Sequence, residues 1–600
     1  MAKKIPQRSE VSDKDKWDLS PMFKNDSEWE ILFSEIETDI VKIEKYRGRL
    51  HENLQIFKEA FDFNLDISRR IERLYTYSHL KSDEDKSNQQ NLGIHQKAIN
   101  LYTRISEALS FMTPEIQSIP DDVILGFMKD ESMKDYRFDI EKIIRFKPHT
   151  RGEETEQIMA MMGEVSGAPS QIFGQLDNVD MKFGTLADDT GAEMELSHGN
   201  FSSFLLSRNR DIRKNAFLQY YAEYNDHKNA ISTALSSSVK KDLFYSKARK
   251  FETCRSSALF GDNVPDSVYD NLITAVRKNL PALFKYLEFR KTKLGVDELH
   301  IYDTYVPLVD DIKFKMSYEE AADVCVMSLA PLGEEYTSIL RKGFDSGWVD
   351  RYENKGKRSG AYSSGCYDSP PYILMNYDEN NINSLYTLIH EAGHSMHSYY
   401  SKKNQPYISH DYTIFVAEVA STFNETLLSK YLLDKYRDDS RMKAYILNRE
   451  IDNIRGTLYR QTMFAEFELA IHTQAEKNNP LTLETFTEIY SSLLKDYFGS
   501  AMIIDGELSL ECLRIPHFYS AFYVYKYATG ISAAISLAEK VLSKGNEARD
   551  KYLNFLKLGG SKFPIDELAD AGVDMRSPDP VNDALKHFSS IVDELIVMMK

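Results

Sequence analysis

The sequence predicts a mainly α-helical fold, and three observations carry the prediction. Glycine (27) and proline (18) are scarce for a chain of 600 residues, against usual shares of about 7% and 5%. Apolar residues recur at helical spacing from residue 27 to about 145, and the same pattern returns from about 200. Alternation with the two-residue period of a strand is confined to a few short stretches. A content of 42% hydrophobic and 28% charged residues suits a globular protein, and the length allows several core-forming units.

Ser27-Glu28-Trp29-Glu30 opens the first helix, with Ser27 as N-cap candidate and acids in the first turn. Leu32, Phe33, Ile36 and Ile40 then recur at helical spacing. The stretch 178–200 breaks the pattern. Val179 to Phe183 and Ala192 to Leu196 alternate apolar and polar residues around the turn-rich Ala187-Asp188-Asp189-Thr190-Gly191, which reads as a β-hairpin. A boundary is expected there, between an N-terminal helical domain (1–198) ending in the hairpin and a second domain (199–600). A further short strand region is expected near 297–307. Lys355 to Gly365 carries three glycines and three serines and reads as a loop. Tyr372-Ile373-Leu374-Met375-Asn376-Tyr377 follows as a β-prone run, either a buried strand or an edge strand beside a substrate-facing loop.

The net charge of -18 argues against a general nucleic-acid binder, which needs clustered Lys and Arg. No stretch approaches the roughly 20 apolar residues of a membrane span, and the basic N-terminus has no apolar run behind it. Cys254, Cys325, Cys366 and Cys512 are far apart and form no CxxC pair, so reduced thiols in a cytoplasmic protein are expected.

Residues 390–394 read His-Glu-Ala-Gly-His on a helical pattern. Residues i and i+4 project from one helix face, so His390 and His394 can reach one zinc ion. Glu391 can approach a water on that ion as general base, and zinc lowers the pKa of such water towards about 7. Two incidental histidines on a helix are the alternative. A catalytic zinc has three protein ligands and an open position. Tyr400 stands where one zinc-peptidase class has its third histidine, and the nearby His397 reads as packed rather than ligating. Residues 412–433 form a mostly apolar helix with Glu418 among Val416, Ala417, Val419 and Ala420. A carboxylate there is costly unless paired or metal-bound. Glu425, two turns on, suits a hydrogen bond to a ligating imidazole. A solvated helix face is the other reading of both acids.

HEAGH followed by FVAEVASTFNE resembles the thimet-oligopeptidase-like zinc metallopeptidases, and within them the oligoendopeptidase F family. Lys16-Trp17-Asp18-Leu19-Ser20 is similar to that family's opening segment, and Lys357-Arg358-Ser359-Gly360-Ala361-Tyr362 to its glycine-containing loop. Arg514 to Tyr519 and Phe522 to Gly530 are similar to its oxyanion-stabilising segment. The resemblance implies a two-lobed helical zincin with a deep substrate channel and a small β-sheet near the metal helix. It implies one zinc held by His390, His394 and Glu418, with Glu391 as base and Glu425 behind a ligand. It gives His517 and Tyr525 to the tetrahedral intermediate, and Gly360, Ala361, Tyr362, Tyr519 and Tyr523 to substrate. Several relatives have tyrosine where this chain has Phe522, which leaves the donor open among Tyr519, Tyr523, Tyr525 and Tyr527. The function implied is hydrolysis of internal bonds in short unstructured peptides. An exopeptidase such as a dipeptidyl carboxypeptidase on the same scaffold, or a non-catalytic helical binding protein, are the rivals. The oligomeric state is open, with a monomer favoured.

Overall fold

A computed structural model of the chain describes residues 5–309, 312 and 314–600. Helices dominate, as the scarcity of glycine and proline predicts. Among the described residues the strands form one two-stranded hairpin and one three-stranded sheet. The chain divides into two compact units, each assembled from three segments. Unit 1 is Met1–Pro148, Lys313–Tyr431 and Leu537–Val573; unit 2 is His149–Ile312, Leu432–Ser536 and Asp574–Lys600. The boundary expected at 198/199 marks no change of unit, because residues on both sides of it pack within unit 2.

In unit 1, helix α1 (Asp26–Asp39) begins ahead of Ser27, because the Asn25 side chain accepts the Glu28 backbone N–H and caps it. Helices α2 (Leu54–Glu84) and α3 (Gln89–Leu109) follow. Asn88 turns the chain between them by accepting the Gln90 and Asn91 N–H groups. The sheet contains β1 (Val349–Asp350), β2 (Tyr362–Ser364) and β3 (Tyr372–Leu374) in the order β1-β3-β2. β3 is parallel to β1 and antiparallel to β2, with Tyr362 opposite Leu374 and Ser363 opposite Ile373. The 372–377 run is therefore the central strand, flanked on both sides, and β2, inside the expected loop, is an edge.

Alternation along β3 gives the sheet two different faces. Tyr372 and Leu374 enter a core with Trp29 of α1, Leu74 of α2 and Leu101 of α3. Ile373 and its partner Ser363 face the other way, where Ser363 Oγ lies 2.8 Å from Ser395 Oγ on helix α4 (Ile382–Asn404). The opening segment locks this sheet to the helices. Trp17 packs edge-on against Tyr372 and donates its indole N–H to Glu84 Oε1 at 2.6 Å. Arg8 donates to both Asp350 oxygens at 2.9 and 2.5 Å, and Lys357 Nζ to Asp350 Oδ1 at 2.6 Å. The Lys357 and Asp350 side chains are fully buried. Arg8 and Lys357 outweigh the burial of Asp350 and hold its carboxyl below its ordinary range.

In unit 2 the expected hairpin forms around its predicted turn. Asp188 accepts the Thr190 and Ala192 N–H groups, and Gly191 takes φ +82°. Its strands are Thr185–Ala187 and Glu193–Glu195. Residues 179–183 do not form the expected strand: exposed Val179 and Asp180 end a π-helical turn, Leu176–Asp180, while Met181 and Phe183 turn inward, and Phe183 stacks on Tyr220. The strand expected near 297–307 is a 3-10 turn, Ile301–Asp303. Asp303 there accepts the His300 N–H and is clamped by Arg210 and Arg213, so side chains replace strand partners. All four cysteines are buried and free.

Removing one member of a buried ion pair strands the other in a low-dielectric interior, at a cost of about 3–5 kcal/mol. Asp350→Ala is therefore expected to destabilise unit 1 by that amount. Urea denaturation checks this, and an unchanged midpoint would contradict it.

Candidate metal centre

Asn381 caps α4 by accepting the Asn383 N–H, and Leu385, Leu388, Ile389, Ala392 and Met396 bury one side of the helix. His390 and His394 follow at one-turn spacing, with ring centroids 4.9 Å apart. Helix α5 (Ile414–Lys435) crosses α4 at Gly393. A Cβ there would lie 2.6 Å from Ser421 Cα and 2.7 Å from the Ala420 carbonyl oxygen, both backbone atoms. Only glycine permits so close a crossing.

The crossing delivers Glu418 to the histidines. Its Oε2 lies 3.3 Å from His390 Nε2 and 3.6 Å from His394 Nε2. One ligand atom from each of the three lies within 4.8 Å of the others, a set that can hold a metal ion. Glu425 Oε1 lies 2.7 Å from His390 Nδ1, which turns Nε2 towards the cluster. Ser421 Oγ donates to Glu418 Oε2 at 3.0 Å. Asn424 donates to the Ile389 carbonyl at 3.4 Å, tying α5 to α4.

The environment drives these groups apart. Burial lowers the His390 imidazole, but hydrogen bonds with Glu418 and Glu425 prevail and raise it to about 10. Burial and the neighbouring His390 lower His394 to about 4. Burial favours protonation of Glu418, yet the two histidines hold it down at about 2. Glu391 is 7% exposed, and burial lifts its carboxyl to about 7 while the Ser363 backbone hydrogen-bonds it. His397 takes no part: it is buried, stacked on Tyr412 at 3.7 Å and packed on Phe555.

Gly360 takes φ +81° ahead of β2, and its carbonyl accepts from Asn376 at 2.8 Å. Ala361 precedes Tyr362, whose hydroxyl donates to Asp83 at 2.8 Å. The remaining sequence candidates lie in unit 2. Tyr527 Oη lies 3.3 Å from His517 Nε2, and Tyr523 stacks on the His517 ring at 5.9 Å. Tyr525, the donor expected from the resemblance, is 1% exposed with its ring against Tyr269. Tyr519 is buried in a stack with Phe173. Phe522 turns its ring onto Tyr269 and His472. Its φ is +56°, uncommon for a bulky residue, and its N–H donates to the buried Glu468 at 3.0 Å. Gly393, Ser421, Asn424 and Ser363 escaped the sequence reading, although the small residues around Glu418 carried a signal for a close crossing.

In a mainly helical chain, two histidines and a glutamate thus converge beside a buried glutamate, a set that can hold a metal ion. Residues 203–587 match the family model for Peptidase family M3, and residues 115–183 that for Oligopeptidase F. The chain is 48% identical to Oligopeptidase PepF of Bacillus subtilis, over 99% of its own length and 88% of that protein's. It is 41% identical to an oligoendopeptidase F homolog of Borreliella burgdorferi, over 98% and 99%. The crystal structure of oligoendopeptidase-F from Enterococcus faecium superposes with a TM-score of 0.74 at 35% identity, covering 96% of this chain and 99% of that one. The chain belongs to peptidase family M3, in its oligoendopeptidase F branch, and is an oligopeptidase.

Gly393→Ala is expected to push α5 from α4 and cut metal affinity about 10–100-fold, as loss of an outer-shell partner does. Helical content is expected to stay close to that of the parent. Metal titration with circular dichroism checks both, and parental affinity would show that the crossing can relax.

Proposed function

We propose that this chain is a zinc-dependent oligoendopeptidase that cuts internal bonds of short, unstructured peptides in the cytoplasm, one zinc per chain. The convergence of His390, His394 and Glu418 beside Glu391 carries the reading. Two imidazoles and a carboxylate suit zinc and leave a coordination position for chemistry. When bound there, zinc supplies Lewis acidity for the attacking water and the scissile carbonyl.

The protein's own groups do the rest. Glu391, raised to about 7 by burial, is matched to accepting a proton from water near neutral pH and handing it to the leaving amine. Glu425 keeps His390 in the tautomer that presents Nε2. Burial lowers His517, so a neutral imidazole with one N–H is favoured. We assign oxyanion donation to His517 and Tyr527, because their polar atoms are paired and both are partly exposed, whereas Tyr525 is buried. β2 is the sheet edge available for pairing with an extended peptide, the arrangement of strand addition.

Chelation is expected to abolish turnover, and zinc to restore it. Glu391→Gln is expected to retain zinc and peptide binding while turnover falls by at least about 10²–10⁴-fold. Glu418→Ala is expected to lose zinc with the helices intact. Elemental analysis and mass spectrometry of products from peptides of graded length read these outcomes. Zinc loss by Glu391→Gln would overturn its role, and release of terminal units alone would favour an exopeptidase. Tyr527→Phe is expected to lower kcat about 10²–10³-fold, the cost of one oxyanion donor. Tyr525→Phe is expected to fall by much less, and the reverse order would return the role to Tyr525.

A further inference from the structure

Tyr75, His79 and Asp83 lie at successive turns of α2, and His95 and Tyr102 lie two turns apart on α3. Their rings join Tyr362 of β2 in one row. His79 stacks on Tyr362 at 5.7 Å, Tyr75 lies 5.9 Å from His79, and Tyr102 lies 6.1 Å from Tyr75. His95 fills the angle, 5.5 Å from His79 and 5.3 Å from Tyr75. The Tyr362 end is held firmly: Asp83, fully buried, accepts from the Tyr362 hydroxyl at 2.8 Å and pairs with His79 and Arg358 at 3.2 Å. The far end is open, with Tyr75 36% and Tyr102 53% exposed.

The two faces of the sheet give the row a direction of use. Ser363 points to α4 and its backbone meets Glu391, whereas Tyr362 points to the α2 and α3 side. A peptide laid along the β2 edge alternates its side chains between these faces. Those on the Tyr362 side recur about every 6.7 Å, close to the ring spacings of the row. Aromatic side chains gain from offset or edge contacts with exposed rings.

We propose that Tyr362, His79, Tyr75 and Tyr102 form a subsite for aromatic side chains of the peptide substrate, at alternate positions beyond the residues paired with β2. This rests on the peptidase reading and adds a preference to it. The subsite selects by side-chain class at a distance from the scissile bond, and it works only on peptides long enough to reach it.

The test uses the full chain carrying Glu391→Gln, with and without Tyr75→Ser and Tyr102→Ser. The probes are two labelled peptides of equal length with one shared core, bearing Phe or Ser at alternate flanking positions. Fluorescence anisotropy is expected to show the Phe peptide bound about tenfold more tightly by the parent, the value of one or two aromatic contacts. The double variant is expected to lose that preference, and Tyr102→Ser alone to lose part of it. Zinc content and unfolding midpoint are measured on every variant, so that a folding defect is recognised; Tyr102→Ser then decides. A preference absent from the parent, or retained in the variants, overturns the subsite. Self-association lost in the double variant, with peptide affinities unchanged, makes the row a contact between copies and also overturns it. Turnover of the core peptide by the chain with Glu391 intact is read separately. Preference without turnover would sink the peptidase reading alone, and turnover without preference the subsite alone.

Discussion

The candidate metal centre depends on how closely two helices can approach at one residue. α4 and α5 meet where Gly393 faces the backbone of Ser421, and any side chain at Gly393 would overlap main-chain atoms that cannot rotate away. Glutamate and asparagine side chains are short, so what they reach is set by how near their own backbone lies. Glu418, Asn424 and Glu425 flank Ser421 within a turn on either side. They reach, respectively, both imidazoles, the Ile389 carbonyl and His390 Nδ1. Each contact is local, yet all three rest on one missing Cβ.

Their surroundings then set two acids apart in proton affinity. Glu391 is buried and Glu418 partly so, and loss of hydration favours the protonated carboxyl at both. Glu418 has two imidazoles within 3.6 Å and is held ionised, whereas Glu391 is lifted to about 7. Carboxylates pushed apart in this way are the pattern from which acid and base candidates are read. The imidazoles are divided as well, His390 raised and His394 lowered. Two nitrogens and a carboxylate that compete for protons in so small a space are a donor set in which a divalent cation replaces the protons.

Local periodicity made much of this legible. The histidine spacing, the apolar setting of Glu418 and the place of Glu425 can all be read along single helices, and they hold in three dimensions. The hairpin turn was legible because Asp188 and Gly191 encode it with their own hydrogen bond and positive φ. What could not be read is relational. The role of Gly393 exists only against Ser421. Whether β3 was buried or an edge stayed open because its two partners lie before it in sequence and carry little strand character of their own. The passage of the chain between units leaves no mark in composition: at 431/432 and at 536/537 it falls inside an ordinary helix. The placement of the tyrosines near His517 was equally hidden: Tyr523 and Tyr527 flank the imidazole, while Tyr525 packs against Tyr269.

Two motifs far apart in the chain meet around β2. A three-residue strand has few ladder hydrogen bonds and cannot hold its place unaided. Lys357, just before it, is anchored in the interior by the Asp350 carboxylate and by the carbonyls of Asp350, Tyr352 and Met375. Asp350 is in turn gripped by Arg8, and Trp17 of the opening segment packs on Tyr372 next door. Tyr362 is tied to Asp83 of α2, and Ser363 to Ser395 of α4. The opening segment and the glycine-containing loop, more than 300 residues apart, therefore belong to one device. Its effect is to set a short strand edge against Glu391, whose carboxylate the Ser363 backbone hydrogen-bonds.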